Sequence, residues 1–452
     1  MKVLVANRGE IAIRVIRALK ELGLSSAAVY SQEDKDSQHV RMADEAWCIG
    51  PAPAKESYLN IGRVLTAARL SGAQAVHPGY GFLAENDRFA TSCEEAGMVF
   101  IGPKGSVMAS LANKFATKEI VRKAGVPVIP GSTRALTSAG EALEETRSMG
   151  FPVLLKASFG GGGRGITLVK TPEELPRAFD MAQAESKAAF GQDGLYLEKL
   201  LHDARHVEVQ VARDLKGRVE AFVERDCTIQ RRNQKLLEES PSPFIDQAAR
   251  AKLLEAAGRA MDACQLTTLC TVEFLLLPDT KTFYFMEINK RIQVEHPVTE
   301  ELLGLDLIRL QIAIAVGEPL TTAPLALGAR HAIEARINAE DPAQGFLPGE
   351  GTVLKCALPG GPGVRVDTFL TPYMTLATSY DSLVAKIIAV SPLGRPAAIA
   401  KMRGALGELL IEGIPTTTGF HQRLMEDPVF SGGRQWFNIR YLETWLPQQR
   451  FN

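Results

Sequence analysis

The sequence predicts a multidomain chain of mixed α/β and α+β class. Three observations carry this: its length, its composition, and an alternation of strand and helix patterns over the first hundred residues. At 452 residues the chain exceeds what one hydrophobic core usually serves. With 46% hydrophobic and 23% charged residues it is neither disordered nor fibrous. Its 51 basic and 52 acidic side chains leave a formal net charge of -1. No global field draws it to nucleic acid or an anionic membrane, so any phosphate-binding cluster must be local.

The alternation begins with the apolar strand Lys2–Ala6, a turn at Arg8-Gly9, and a helix whose apolar positions are Ile11, Val15, Ile16 and Leu19. Gly23 ends that helix and Ser26–Tyr30 supplies the next strand, with further strands ending at Val76 and spanning Met98–Ile101. Strands separated by helices imply a parallel, doubly wound sheet. The first turn holds one glycine rather than GxGxxG, so it lacks the fingerprint for close pyrophosphate approach. Residues 102–130 read as a linker around one helix. A second segment runs from 131 to 200, and the C-terminal third carries strands near 329–338 and 383–390 and a helical stretch near 396–413.

The six cysteines are scattered without metal-like pairing, so reduced thiols are expected. No apolar run is long enough for a membrane span and the N-terminus lacks a signal-peptide core, which predicts a soluble, cytoplasmic protein.

Three constellations carry chemistry. In PVLLKASFGGGGRGITLV, strands Val153–Ala157 and Ile166–Val169 flank a loop containing Gly160, Gly161, Gly162, Gly163 and Gly165. So many glycines cost conformational entropy, and their use is close approach of backbone N–H groups to an anion. Lys156 at the strand end supplies a point charge for phosphate oxygens. Thr271–Leu277 and Phe283–Asn289 form a hairpin in which symmetric closure pairs residue numbers summing to 560. Glu273 and Glu287 then oppose each other, with Asn289 on the same face. Adjacent carboxylates repel unless a cation or a shared proton lies between them, and an all-oxygen set favours Mg²⁺ or Mn²⁺. The following RIQVEHP offers Arg291 as a planar fork for an oxyanion and Glu295 as a base. A third segment, Glu224 to Lys235, concentrates four cations and reads as a local anion pocket.

Taken in order along nearly the whole chain, VANRGEIAIRVIRA, HPGYGFLAEN, FIGPK, KAGVP, KASFGGGGRG, RHVEVQV, ERDCTIQRRNQK, RIQVEHPVTE and EARINAEDP resemble the biotin carboxylase family. The resemblance implies a Rossmann-like pre-ATP-grasp domain with linker over 1–112, an ATP-grasp domain over 113–318 with a glycine-rich lid at about 131–200, and a biotin carboxylase C-terminal domain over 319–452. It implies ATP-dependent carboxylation of biotin by bicarbonate through carboxyphosphate. Lys114, Lys156 and the glycine loop would meet the phosphates; Glu198 and Lys199 the adenine; His206, Gln230 and Asn233 the nucleotide. Glu273, Glu287 and Asn289 would hold two Mg²⁺ or Mn²⁺ ions, and Lys235, Arg291, Gln293 and Val294 the bicarbonate. Glu295 would take the bicarbonate proton, Arg336 would stabilise the enolate-like oxygen of biotin, and Tyr80 would lie beside biotin. Asn233, Phe159, Lys290 and Ser379 depart from the usual pattern. No Met-Lys-Met biotinylation signature is present, so biotin is expected on a separate biotin carboxyl carrier protein. The expected partners are that carrier, a carboxyltransferase and a second copy of the chain, in a setting such as acetyl-CoA carboxylase and fatty acid biosynthesis.

Two rival readings, another ATP-grasp ligase and an inactive scaffold that holds the carrier, lack a reason for RIQVEHPVTE together with Lys156, Glu273, Glu287, Arg291 and Glu295.

Overall fold

A computed structural model describes residues 1–451 apart from 133, 159–164, 191–193, 280, 323–324 and 434. Strands β1 (Lys2–Val5), β2 (Ser25–Tyr30), β3 (Glu45–Cys48), β4 (Ala75–His77) and β5 (Val99–Phe100) form a parallel sheet in the order β3-β2-β1-β4-β5. This is the doubly wound arrangement expected from the alternation. The helix Gly9–Glu21 follows β1, and buries Ile11, Val15, Ile16 and Leu19. Gly9 starts it with φ +66°, a left-handed geometry that costs a glycine least.

The segment 102–130 is a correction to the expected linker. It holds two helices, Gly105–Ser110 and Lys114–Lys123. The second starts with Asn113 accepting from the Ala116 amide, a helix-start signal that the sequence carries in that one side chain. The following unit packs the helices Ala139–Met149 and Leu175–Phe190 against a small sheet of β6 (Val153–Ala157), β7 (Ile166–Val169) and β8 (Leu195–Lys199), in the order β7-β6-β8. Both strands flanking the glycine loop have the predicted bounds; Gly161, Gly162 and Gly163 lie outside the described residues.

The main sheet has eight strands. β9 (Arg205–Arg213), β10 (Val219–Arg231), β11 (Gln234–Ser240), β12 (Thr268–Leu276), β13 (Phe283–Asn289) and β14 (His331–Asn338) are joined by Leu383–Ser391 and Val364–Thr368, in the order β13-β12-β9-β10-β11-β14 and then those two. β11 bonds directly to β14, so the sheet runs unbroken past the expected boundary at 318/319. On one face Val207, Val209, Val211, Val272, Phe274 and Leu276 pack in a core with Leu253, Ala256 and Ala260 of the helix Gln247–Ala263. The opposite face carries the polar residues of the site. The helical stretch expected near 396–413 is a shorter helix, Arg395–Glu408. Leu410–Glu412 is a strand paired with Lys355–Ala357, because its partner lies far away in sequence.

All six cysteines are free, and no helix among the described residues is long and apolar enough to cross a membrane.

Arg205, fully buried in β9, ties the C-terminal segment to the sheet. It donates to Asp226 (3.0 Å) and to the Phe437 carbonyl (2.8 Å), and lies about 4 Å from the ring centres of Phe244 and Phe437. Arg205→Leu should lower unfolding stability by about 3–5 kcal/mol, because Asp226 loses its buried cation partner. Adding Asp226→Asn should recover part of the loss in denaturant melts, whereas simple additivity of the two changes would remove the pairing argument.

Candidate active site

One rung across the main sheet lays the foundation. Arg225 on β10 pairs with Glu208 on β9, Glu208 with Glu273 on β12, and Glu273 with Glu287 on β13. The facing of Glu273 and Glu287 agrees with the sum rule, and Val272–Ile288 and Thr271–Asn289 obey it too. Beyond Glu273 the register slips: Phe274 pairs with Phe285 and Leu276 with Phe283, so the hairpin turn closes one residue out of step and an irregularity restores the expected register. The predicted pairing holds despite a local bulge that the arithmetic does not contain.

Cations neutralise this acidic row from within the sheet. Arg225, fully buried, donates to Glu208 at 2.6 Å and to Gln210, Thr271, Thr299 and Gln293 at 3.0 to 3.2 Å. Lys235 donates to Glu208 (2.6 Å), Glu273 (2.9 Å) and Glu295 (2.7 Å). Burial works against the Lys235 charge, but the three carboxylates outweigh it and hold the ammonium well above its ordinary range. Burial likewise opposes charge on Glu295, yet Lys235, Arg336 and Arg225 keep its carboxyl well below the usual range. Arg336 reaches Glu295 at 2.9 Å and Glu238 at 2.6 Å, so Glu295 lies between a lysine and an arginine supplied by different strands.

The loop after β13 completes this corner. Gln293 donates to Glu273 at 3.0 Å, and the Val294 carbonyl accepts from buried Lys386 at 2.9 Å. Arg291 lies 3.4 Å from Glu85, donates to the Ile292 carbonyl at 3.1 Å and to Asn289 Oδ1 at 3.5 Å, and keeps 22% side-chain exposure. Lys290 turns away from this group: its amide donates to Glu85 and its ammonium lies 3.4 Å from the Leu111 carbonyl. Tyr80 donates to Glu10, which pairs with Lys386 at 3.0 Å. Tyr80 thus reaches the Val294 loop through a buried acid and a buried lysine.

A second group lies between the small sheet and the helix Lys114–Lys123. Glu198 receives Lys156 at 2.5 Å and also pairs with Lys118, while Lys114 pairs with Glu287 at 2.7 Å. Burial, reinforced by the Lys114 charge, brings the Lys156 ammonium down to about 8. Lys199 is directed elsewhere, to the Gly150 and Phe151 carbonyls. Gln230 lies beside Lys235 as its partner across the β10–β11 hairpin.

The expected anion pocket of Glu224 to Lys235 does not form as one cluster. Arg225 and Lys235 join the acidic row, whereas Arg231 lies over Phe346 at 4.5 Å and Arg232 is exposed at the hairpin tip. Asn233 sits at that exposed tip with φ +65° after Arg232 at +50°. Two consecutive left-handed residues define the tight turn, and asparagine tolerates that geometry better than most side chains.

The oxygen set expected to hold metal is brought to one side of the sheet but is split between partners. Asn289 donates to Glu273 at 2.9 Å, whereas Glu287 is half-exposed and turned to Lys114. His206, Glu208 and Glu273 place ligand atoms within 4.8 Å of one another, with His206 Nε2 3.2 Å from Glu273. Glu208, Glu238 and Lys386 are participants that the sequence motifs do not single out, and Arg225 enters the sequence reading only as one of four clustered cations. The polar-apolar alternation in RHVEVQV, with His206, Glu208 and Gln210 all buried, is the one signal that points to Glu208.

The chain matches three family models: "Biotin carboxylase, N-terminal domain" over residues 1–108, "Carbamoyl-phosphate synthase L chain, ATP binding domain" over 113–323, and "Biotin carboxylase C-terminal domain" over 334–444. It is 47% identical over 445 residues to biotin carboxylase 1 of Bacillus subtilis, covering 98% of both chains. It is 46% identical over 433 residues to a pyruvate carboxylase component of Methanothermobacter thermautotrophicus, covering 96% of this chain and 88% of the relative. Among solved structures, it resembles a Campylobacter jejuni biotin carboxylase–ATP complex with TM-score 0.94 and 42% identity, over 98% of each chain. The biotin carboxylase domain dimer of Hydrogenobacter thermophilus 2-oxoglutarate carboxylase, with MgADP, ADP and bicarbonate, matches with TM-score 0.92 and 44% identity, over 98% of this chain and 97% of that one.

A lysine lowered to about 8 is charged below that pH and neutral above it. If Lys156 meets phosphate, the KM for ATP should rise as pH passes about 8, and ATP binding near that pH should take up protons. Lys156→Arg should remove that dependence in calorimetry across buffers of different ionisation enthalpy; an unchanged pH profile would take Lys156 out of phosphate binding.

Proposed function

The chain belongs to the biotin carboxylase family, and we propose that it is a ligase of the ATP-grasp type that carboxylates biotin with bicarbonate at the expense of ATP. The observation that carries this reading is Glu295, a buried carboxylate held between Lys235 and Arg336, with the Arg291 fork on the same loop. A second group of lysines, Lys114 and Lys156, serves ATP phosphates.

Bicarbonate is a poor electrophile, so it must first become carboxyphosphate. Arg291 presents a planar pair of donors to orient the anion for attack on the terminal phosphate. Glu295 in the resting site is fully ionised and a weak base. An arriving anion held by Arg291 competes for Lys235, loosens the hold on Glu295, and so raises its proton affinity when a proton must be removed. Collapse of carboxyphosphate yields CO₂ and phosphate, and the phosphate takes the biotin N1′ proton. Arg336 offers its positive charge to the enolate-like ureido oxygen that develops on biotin.

The donor chemistry of Glu273, Glu287 and Asn289 fits a hard divalent cation, and we take two Mg²⁺ or Mn²⁺ ions as the expected load. When bound, the metal supplies charge neutralisation for crowded phosphate oxygens. Biotin would arrive on a separate carrier protein, and carboxyl transfer would occur on a carboxyltransferase partner. Relatives of nearly equal identity are named for biotin carboxylase and for pyruvate carboxylase, so the acceptor is set by those partners. A homodimer in the cytoplasm completes the reading, supported by the dimer named for the Hydrogenobacter structure.

Glu295→Gln should lower biotin carboxylation by about 10²- to 10⁴-fold. ATP binding should be retained, because the shape is kept and only the base is lost. Equal turnover by wild type and variant would remove Glu295 from that role.

Converting Glu273 or Glu287 to Gln should raise the Mg²⁺ concentration needed for half-maximal ATP cleavage, since an anionic ligand oxygen becomes neutral. Metal titrations that superimpose on wild type would place the ion elsewhere.

A further inference from the structure

Behind Arg336 lies a pair of carboxyl groups that the reaction scheme above leaves unused. Glu238 on β11 and Glu334 on β14 are direct cross-strand neighbours, and both are fully buried. Arg336 shares the face of Glu334, two residues away. It donates through Nε to Glu238 Oε1 at 2.6 Å and through Nη2 to Glu295 Oε2 at 2.9 Å. Among the described residues, neither carboxylate oxygen of Glu334 has a hydrogen-bond partner, and Glu238 Oε2 has none either. Lys386, opposite Arg336 on the next strand, directs its ammonium to Glu10 and the Val294 carbonyl.

Two neighbouring buried carboxylates cannot both remain ionised when one arginine is divided between Glu238 and Glu295 and Lys386 is turned to Glu10. A single proton resolves the conflict: carried by Glu334, it can be donated to the free oxygen of Glu238, which leaves Oε1 for Arg336. We propose that Glu238 and Glu334 share one proton and that Glu238, braced in this way, is the positioning residue that fixes Arg336 at the site. The proposal rests on the reading of Arg336 given under the proposed function.

The surroundings agree. The charged and titratable groups facing the pair are Arg336, Glu295, Lys235 and Lys386, with Glu10, Asp367, Tyr80, His296 and Cys227 in the next rank. Burial drives Glu238 up to about 7 against the opposing charge of Arg336, and drives Glu334 well above the carboxylate range against Lys386, with Glu238 adding to the rise. The arrangement also has a use in turnover. Once Glu295 accepts a proton its attraction for Arg336 falls, and Glu238 becomes the anion that keeps the guanidinium in place. Loss of the shared proton at high pH would set two carboxylates against each other and draw Arg336 inward.

The test compares Glu334→Gln, whose amide can donate to Glu238 as a protonated carboxyl does, with Glu334→Leu, which cannot. Carboxylation of free biotin and bicarbonate-dependent ATP cleavage are followed against pH. Wild type should lose carboxylation kcat in the alkaline range, and Glu334→Gln should remove that alkaline limb. Glu334→Leu should lower carboxylation kcat by about tenfold or more, with KM for ATP within a few-fold. An alkaline limb unchanged in Glu334→Gln, or equal kcat in the Leu and Gln variants, overturns the proposal. An infrared difference spectrum between wild type and Glu334→Gln, recorded at neutral pH without substrate, reads the proton directly. A protonated-carboxyl band lost in the variant supports the shared proton, and its absence from the difference overturns it. Should the band be present while wild type carboxylates no biotin, the functional reading fails and the shared proton stands.

Discussion

Everything at the centre of this molecule depends on neutralising three aligned glutamates, Glu208, Glu273 and Glu287, that the register of β9, β12 and β13 places side by side. Such a row repels itself, and burial makes it worse. Arg225 closes one end of the rung from β10, Lys114 reaches the exposed end, and Lys235 bridges the row to Glu295. The cations at the dry end are themselves buried and would be costly without the acids. Neither set is stable alone, so the sheet register, the loop after β13 and the hairpin β10–β11 hold one another in place.

The same logic joins the distant parts of the chain. β14 continues the sheet from β11 and delivers Arg336, and the next strand delivers Lys386 beneath the Val294 carbonyl. Lys386 pairs with Glu10 from the N-terminal helix, and Glu10 accepts from Tyr80. Thus the three matched family regions each contribute a charged or polar group to one connected network. The eight-stranded sheet continues across the expected bound at 318/319, and ion pairs rather than strands bring in the N-terminal region.

Much of this is legible in the sequence alone. The doubly wound sheet, the strands around the glycine loop and the Glu273–Glu287 facing all follow from local patterns, because each rests on neighbours in sequence or on one hairpin. What stays hidden depends on long-range register. Glu208 meets Glu273 only because β9 lies beside β12, and Glu238 meets Glu334 only because β11 lies beside β14. The cations from Arg225 to Lys235 mislead for the same reason. They cluster in sequence, but the hairpin sends Arg231 and Arg232 away from the rung that Arg225 and Lys235 join.

Lys235 is the charge that makes three buried carboxylates tolerable together. Replacing it by methionine keeps the apolar stem and removes the ammonium. Glu208, Glu273 and Glu295 must then bind protons in the folded state more readily than in wild type, so folding gains less as pH rises. Measured by denaturant unfolding between about pH 5 and 9, the stability gap between wild type and Lys235→Met should be smallest at the acid end and widen steadily toward the alkaline end. A gap that stays constant across that range would contradict this role for Lys235.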